Sequence, residues 1–252
     1  MSQLTLTESD SIATIELNRP EKLNALSPEL LRELLDCCEQ IATRDSIRTV
    51  LVRGAGRSFC AGADLPAFDA AFDSDPHAAA DLGRAATEAI WRLPQITVAA
   101  IHGHCVGGGL VVAACCDLRV ASDSAKFSIP EVNAGIPLAW GGMGHLYRLI
   151  GETRATELVL SCRAFGADEA TASGFLTGSF PENSFVEDLE RFVGDLAARP
   201  QKILRLIKSQ LVALRDGCFD PHADADALLA ARDDVEAQRV GAAYVDRLRS
   251  GS

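Results

Sequence analysis

The chain has 252 residues and a mass of 26.8 kDa; 48% of its residues are hydrophobic and 23% are charged. This composition excludes a disordered chain and is sufficient for a folded core that needs no disulfides or metals to hold it together. The formal net charge of −11 argues against nucleic acid or an anionic membrane as a partner. It leaves room for a local cationic pocket that binds an anionic ligand.

The eight cysteines form no C-x-x-C pair and no spacing typical of a zinc site. Most lie in apolar stretches, where cysteine behaves as a small hydrophobic residue. We therefore expect reduced thiols, no bound metal and a cytoplasmic protein. The N-terminus lacks the pattern of a secretory signal. The most apolar window, residues 96–116, contains two histidines and four glycines, so we interpret it as buried core rather than a membrane span.

Strand and helix patterns alternate through the first half of the chain. A helix is predicted from Ser27, a typical N-cap followed by Pro28, to Ile41, and another over residues 78–93. The predicted strands lie at residues 4–6, 12–17, 49–52, 97–101 and 118–121. This alternation favours an α/β architecture with helices packed on sheets.

After residue 150 the pattern becomes almost entirely helical, with one brief strand between Leu176 and Phe180. The predicted helices lie at residues 154–160, 167–173, 186–198, 202–214 and 223–248. The chain therefore divides, as a prediction, into an α/β core over residues 1–195 and a helical C-terminal region over residues 196–252.

The glycines between residues 103 and 109 suggest a phosphate-binding loop, but the known patterns fail. A G-x-G-x-x-G motif starting at Gly107 would need a glycine where the chain has Val112, and a P-loop would need lysine at Gly109. The chain has no G-x-S-x-G elbow and no H-E-x-x-H metal helix. Its five histidines form no convincing metal cluster.

Two segments, residues 58–65 and 102–110, each follow a predicted buried strand and contain glycines at tight turns. Consecutive glycines at a helix start leave N–H groups free and let a ligand approach the backbone closely. Two such turns could direct two N–H groups at one oxygen, as an oxyanion hole requires. On the residues alone, two tight turns without a ligand are an equally good interpretation.

These segments and several others, in this order and spacing, resemble the enoyl-CoA hydratase/isomerase, or crotonase, family over nearly the whole chain. The matching segments are NRPEKLNAL at 18–26, FCAGADL at 59–65, the glycine run at 103–109, CDLRVA at 116–121, FSIPEV at 127–132, GIP at 135–137 and LIG at 149–151. The resemblance implies a spiral of β-β-α units whose C-terminal helices assemble homotrimers or homohexamers. It also implies an acyl-CoA thioester as substrate and no separate cofactor, because coenzyme A is part of the substrate.

The resemblance also implies roles for individual residues. The backbone N–H groups of Ala63 and Gly108 would form an oxyanion hole for the thioester carbonyl oxygen. Arg19, Lys22 and Arg57 are cations that could face the phosphates of coenzyme A, with a solvated surface as the alternative. The coenzyme would lie near Lys22, Leu23, Ala25, Ala61 and Asp64.

Family hydratases use two glutamates to activate one water, and this chain has only one of them. Val111 occupies the first position and Glu131 the second. Because valine transfers no proton, the hydratase mechanism is incomplete. One carboxylate is enough to move a proton from C2 to C4 of a 3-enoyl thioester. We therefore predict an enoyl-CoA isomerase with Glu131 as sole acid/base, its pKa raised beside apolar Val111.

Trp140 departs from the small, glycine-rich stretch common in the family, and it either lines the acyl pocket or packs in the core. His145 is interpreted as a helix-surface histidine, with a role as a second acid/base group left open. Cys60, Cys105 and Cys115 are interpreted as packing residues. Two other functions stay open: a hydratase or lyase that recruits another acid/base group, and a non-catalytic acyl-CoA binding protein.

Overall fold

The computed structural model describes residues 2–250 as an α/β protein with two sheets. Its strands are β1 (Leu4–Ser9), β2 (Ile12–Leu17), β3 (Thr49–Gly54), β4 (Ile96–Ile101), β5 (His104–Val106), β6 (Leu118–Ser122), β7 (Lys126–Ser128), β8 (Phe165–Gly166) and β9 (Gly178–Phe180). The larger sheet has the order β1-β2-β3-β4-β6-β9 and is parallel apart from the β1–β2 hairpin. In the smaller sheet, β7 pairs parallel with β5 and antiparallel with β8.

The helices alternate with the strands in the first part of the chain and are the main elements of the described chain after β9. They are α1 (Pro28–Ala42), α2 (Leu65–Ser74), α3 (Pro76–Arg92), α4 (Gly108–Cys115), α5 (Gly142–Ser161), α6 (Ala167–Ala172), α7 (Phe185–Ala197), α8 (Gln201–Arg215), α9 (Asp224–Arg232) and α10 (Val235–Ser250). No helix among residues 2–250 is long and apolar enough to span a membrane.

Burial explains why the larger sheet forms the centre of the fold. All six residues of β4 are buried, as expected for a parallel strand covered by helices on both faces. Side chains of β3 such as Val50 pack with α1 on one face of the sheet, whereas Leu51 packs with Leu189 of α7 on the other. The sheet therefore holds the ends of β3 and β4, and the turns that follow them, in fixed positions.

Helix α1 begins where its sequence predicts. The Ser27 hydroxyl accepts a hydrogen bond from the Leu30 N–H at 3.1 Å, and Pro28 occupies the first helical position. The predicted N-cap is therefore confirmed.

Replacing Ser27 with alanine is expected to lower the free energy of unfolding by about 1 kcal/mol, because the Leu30 N–H loses its acceptor. In a chain of this size, that corresponds to a fall in Tm of about 2–4 °C. Thermal denaturation at one protein concentration measures it. Ser46→Ala changes an exposed serine outside any helix or strand and serves as the control. Equal losses in the two variants would contradict the capping role.

The helix predicted over residues 223–248 is wrong as a single element, because the chain forms α9 and α10 with a break at Asp233 and Asp234. Asp234 accepts a hydrogen bond from the Ala237 N–H at 2.8 Å, so it caps the second helix. Helix α5 is interrupted by a kink at Gly151, so its second segment corresponds to the predicted helix at 154–160 and its first segment, from Gly142, was not predicted. Helix α2 and the strands of the smaller sheet were also not predicted. The proposed division at residue 195 falls inside α7 and stays a prediction.

A buried ion pair attaches the C-terminal helices to the core. Lys208 of α8 lies with its Nζ 2.7 and 2.8 Å from the two carboxylate oxygens of Asp117, at the start of β6. Arg215, at the end of α8, lies 2.9 Å from the same carboxylate. The pairing fixes α8 against the sheet, while α9 and α10 leave apolar side chains exposed.

Candidate active site

A cavity of about 340 Å³ lies between α2, the beginnings of α3 and α4, and the loop from Glu131 to Trp140. Most of its lining is apolar, including Leu65, Phe68 and Ile136. Five residues singled out by the sequence also line it: Ala63, Gly108, Val111, Glu131 and Trp140. An apolar cavity with few polar groups is typical of a small-molecule site.

The two glycine-containing turns lie against each other at this cavity. The Cys60 N–H donates to His104 O at 2.9 Å, and the Val106 N–H donates to Cys60 O at 3.0 Å. A Cβ added to Gly62 would lie 3.1 Å from Val106 O and 3.9 Å from Gly108 N. With φ of +99°, Gly62 allows this close approach of the two backbones.

The backbone N–H groups of Ala63 and Gly108 are unpaired within residues 2–250. Hydrogen bonds on either side hold residue 63 in place, because Leu26 N–H donates to Gly62 O at 2.8 Å and Asp64 N–H donates to Leu26 O at 2.9 Å. Gly108 is the first residue of α4, where N–H groups have no partner inside the helix. The two residues that carry these free donors, on neighbouring turns, both line one cavity.

Glu131 is held against the turn that precedes α4. Gly107 N–H donates to Ser128 O at 3.0 Å, which ties this turn to the end of β7. Ala134 and Ile136 donate to the Glu131 carbonyl, both at 3.0 Å, and fix the loop that follows. A Cβ added to Gly107, which has φ of +49°, would lie 2.3 Å from Glu131 Oε1. Glycine at 107 is thus what makes room for this carboxylate.

One oxygen of the Glu131 carboxylate is left without a hydrogen-bond partner in the fold. Its Oε2 atom is buried and makes no hydrogen bond with any described residue. Burial raises the pKa of Glu131 above its usual range, because desolvation disfavours the ionised form. A buried carboxylate with a raised pKa and an unpaired oxygen is suited to accepting and returning a proton.

Val111 lies one turn into α4 and is almost fully buried. A Cβ added to Gly142 would lie 2.7 Å from Val111 Cγ2, so the valine fills the space beside α5. Asp69 of α2, the second acidic residue in the cavity lining, was not predicted from the sequence.

Pro66 lies in the first turn of α2, and proline at that position is a signal that could have predicted this helix.

The residues expected near coenzyme A lie together beside residues 61–64, outside the cavity lining. Ala61 N–H donates to Leu23 O at 2.9 Å, and the side chain of Arg19 donates to Ala25 O. Lys22 lies with Nζ 3.3 Å from Asp64 Oδ2, and about half of its side chain is exposed.

The prediction that Arg19 could face the phosphates is wrong. Its guanidinium is buried and lies 2.8 Å from Asp64 Oδ2. Burial acts to raise the pKa of Asp64, but hydrogen bonds from Arg19 and Lys22 outweigh it and hold the pKa below its usual range. Asp64 therefore stays ionised and positions these two cations. Lys22 and the exposed Arg57 stay the candidates for phosphate contact.

His145 is half-buried, so it is not the freely exposed helix-surface histidine that the sequence suggested. Its Nε2 lies 3.3 Å from Cys115 Sγ, and its ring centroid lies 4.5 Å from that of Trp91. Burial, together with the charges of Arg148 and Arg215, lowers the pKa of His145 to about 4. It does not belong to the lining of the cavity that holds Glu131.

Cys60, Cys105 and Cys115 are buried, as predicted for packing residues. Desolvation raises the pKa of Cys60 to about 12 and raises those of Cys105 and Cys115 as well. Thiols held in the neutral form are poor nucleophiles, so these cysteines belong to the core and not to the chemistry.

Comparison with known proteins gives a consistent result. The model of the enoyl-CoA hydratase/isomerase family matches residues 7–228. A probable enoyl-CoA hydratase of Bacillus subtilis is 32% identical over 211 residues, which cover 82% of this chain and 81% of that protein. The mitochondrial Δ(3,5)-Δ(2,4)-dienoyl-CoA isomerase of Rattus norvegicus is 31% identical over 225 residues, covering 83% and 68% of the two chains.

Solved structures agree with the sequence relatives. An enoyl-CoA hydratase/carnitine racemase from Magnetospirillum magneticum superposes with a TM-score of 0.91 at 31% identity, covering 98% of this chain and 94% of that chain. The predicted α/β crotonase fold with C-terminal helices is thereby confirmed. Because the family model spans most of its length and several relatives exceed 30% identity, this chain belongs to the enoyl-CoA hydratase/isomerase family.

Proposed function

We propose that this enzyme isomerises 3-enoyl-CoA to 2-trans-enoyl-CoA and that Glu131 is its only acid/base group, in fatty-acid or related acyl-CoA metabolism. One observation carries the proposal: the carboxylate of Glu131 has a buried, unpaired oxygen in a cavity where residue 111 is valine. A single carboxylate supports a proton shift within the substrate. It does not support the two-carboxylate activation of water.

The reaction needs one proton to leave and one to return. Ionised Glu131 takes a proton from C2 of the 3-enoyl thioester, and the electrons of that C–H bond move onto the thioester oxygen to form a dienolate. Protonated Glu131 then gives the proton to C4, and the double bond ends between C2 and C3. No atom is lost, and the reaction needs no redox partner or added cofactor.

The unpaired N–H groups of Ala63 and Gly108 are proposed to stabilise the dienolate oxygen. Donors that are fixed before the reaction and aimed at a developing negative charge stabilise the transition state more than the ground state. Losing one such donor typically costs a factor of about 10²–10³ in rate. Gly108 also contributes the N-terminal end of α4, where the helix dipole favours an anion.

Coenzyme A is proposed to lie along Lys22, Leu23, Ala25 and Ala61, with Asp64 holding Lys22 in place. The overall charge of −11 repels an anionic ligand, so affinity depends on backbone N–H groups and on local cations. Free, buried thiols are compatible with a reducing compartment, and we propose a cytoplasmic location.

Purified protein with a 3-enoyl-CoA tests the isomerase activity, because the product is a conjugated enoyl thioester with stronger ultraviolet absorbance than the substrate. Growth of that absorbance is the expected result. Absence of turnover together with tight binding of acyl-CoA would instead identify a non-catalytic binding protein.

A hydratase is the second candidate, since Asp69 is another carboxylate in the cavity lining and hydratases are among the relatives. Loss of enoyl absorbance from crotonyl-CoA, abolished by Asp69→Asn, would support the hydratase. Isomerisation that persists in Asp69→Asn would support Glu131 as the sole acid/base group.

The pH dependence of kcat/KM follows from the raised pKa of Glu131. Only the ionised carboxylate can take the C2 proton, so activity should fall as the pH decreases through this pKa. Because burial raises the pKa, the fall begins at a higher pH than for an exposed carboxylate. A kcat/KM profile measured with 3-enoyl-CoA locates the acidic limb. A limb at the pH of an ordinary glutamate would contradict the role of burial.

A homotrimer or homohexamer is proposed on the basis of apolar surface on the last two helices. The exposed apolar residues are Leu228, Leu229, Val235, Tyr244 and Leu248. Isolated apolar side chains are ordinary on a surface, but a group on neighbouring helices indicates an interface. Sedimentation equilibrium is expected to give three or six chains per particle, and a monomer at micromolar concentration would contradict the proposal.

A further inference from the structure

The indole of Trp140 fills the space between α3 and α4 beside one of the proposed oxyanion donors. A Cβ added to Gly83 of α3 would lie 2.0 Å from Trp140 Cε2, and one added to Gly108 would lie 2.4 Å from Trp140 Cζ3. Both glycines are therefore in direct contact with the ring. No larger residue fits at either position while the indole stays in place.

Contacts to both the backbone and the ring position residue 140. The hydroxyl of Thr87, which also bonds Gly83 O at 2.9 Å, lies 3.3 Å from the backbone carbonyl oxygen of Trp140 and ties this loop to α3. The ring centroids of Phe68 and Trp140 lie 5.9 Å apart. Trp140 has φ of +57°, which is unfavourable for a large residue, and Gly83 costs helix α3 about 1 kcal/mol relative to alanine. Two local costs at one contact indicate that the contact itself has a role.

We propose that Trp140 closes the acyl cavity next to Gly108 and thereby makes the enzyme selective for short acyl chains. This inference rests on the proposed function, because it takes the thioester carbonyl to lie at the N–H groups of Ala63 and Gly108. Because the ring occupies the space between Gly83 and Gly108, the acyl chain would stay within the cavity of about 340 Å³. That volume is near the lower end of the range for ligand cavities, about 300–1,000 Å³.

Binding of saturated acyl-CoA esters tests the selectivity without any chemistry. Each methylene that finds room in an apolar cavity adds about 0.8 kcal/mol, or about fourfold in affinity. Affinities are measured by titration calorimetry with butyryl-, hexanoyl-, octanoyl- and dodecanoyl-CoA. In the native enzyme, the gain in affinity with each added methylene is expected to stop at a short chain length. In Trp140→Ala the gain should continue to longer chains, so that dodecanoyl-CoA binds at least about tenfold more tightly than to the native enzyme. If Trp140→Ala does not fold, Trp140→Phe provides a smaller opening of the same kind.

The chain offers a matched control, since Trp91 is its only other tryptophan and lies outside the cavity lining. Trp91→Phe should keep the native dependence on chain length. It also leaves Trp140 as the sole indole, whose fluorescence should change when octanoyl-CoA binds. In Trp140→Phe, the emission of Trp91 should stay constant on binding.

The outcomes separate the two proposals. Absence of binding for every acyl-CoA would overturn the proposed function. Tight binding with no change in Trp140 emission, or the same chain-length profile in native enzyme and Trp140→Ala, would overturn the selectivity role alone.

Discussion

Replacing Glu131 with glutamine is expected to reduce kcat for 3-enoyl-CoA isomerisation by a factor of about 10²–10⁴, while acyl-CoA affinity changes little. Glutamine has nearly the same shape and keeps the contact with Gly107, but it cannot take a proton from C2. The N–H groups of Ala63 and Gly108, which we propose bind the thioester, are untouched. The measurement is steady-state turnover together with calorimetric binding of a saturated acyl-CoA.

Glu152→Gln is the matched control, because it makes the same chemical change at an exposed position of α5. It should retain native turnover. Substantial isomerisation by Glu131→Gln would show that another group moves the proton, and Asp69 would be the first residue to test. Loss of binding together with turnover would instead assign Glu131 a structural role.

The same variant has a second, independent signature in stability. Since burial raises the pKa of Glu131 in the folded state, ionising this group costs the native protein free energy. The stabilising contribution of the protonated form is present at low pH and is lost as the pH rises through the folded pKa. Relative to the native protein, Glu131→Gln should therefore gain stability as the pH increases through that range. A Tm difference between the two proteins that does not vary with pH would contradict the burial argument.

The elements that sequence predicted well are those specified by local chemistry. Ser27 and Pro28 determine the start of α1, and the apolar residues of β4 determine a buried strand, because caps and periodicity involve neighbours in the chain. The strands β5, β7 and β8 have three residues or fewer, too short for any alternation to emerge. The break before α10 had a local signal in Asp234, a residue type common at the N-cap of a helix.

In the candidate site, too, features set by local sequence were predicted and features set by tertiary contacts were not. The turn glycines and the resemblance predicted that Ala63, Gly108 and Glu131 act together, and the structure places all three in the lining of one cavity. The environments of the Arg19 and His145 side chains could not be predicted from the spacing of residues in the sequence. Arg19 is neutralised by Asp64, 45 residues away, and half-buried His145 contacts Trp91 of α3 and Cys115 of α4. Desolvation and pairing of this kind depend on tertiary contacts, which a single sequence does not reveal.

Substituting Gly107 with alanine is expected to lower isomerase activity about 10²-fold, because the added methyl group displaces Glu131. The new Cβ would lie 2.3 Å from Glu131 Oε1, so the carboxylate must move away from its native position. A displacement of about 1 Å in a catalytic group is sufficient for a loss of this size. Gly107 also has φ of +49° and ψ of −119°, a backbone conformation that residues with a side chain rarely adopt, so alanine should cost a further loss of about 1–3 kcal/mol of stability, which a denaturant titration should detect.

Gly144→Ala separates displacement of Glu131 from a general effect of adding a methyl group. Gly144 lies inside α5, and a Cβ there meets no atom within 4 Å. That variant should keep native turnover and gain up to about 1 kcal/mol of stability from the better helix former. Native activity in Gly107→Ala would mean that Glu131 does not need its position against this turn, and the single-base mechanism would lose its geometric basis. A large loss in Gly107→Ala alone, with acyl-CoA binding retained, would instead show that this turn sets the distance between the base and the carbon that it deprotonates.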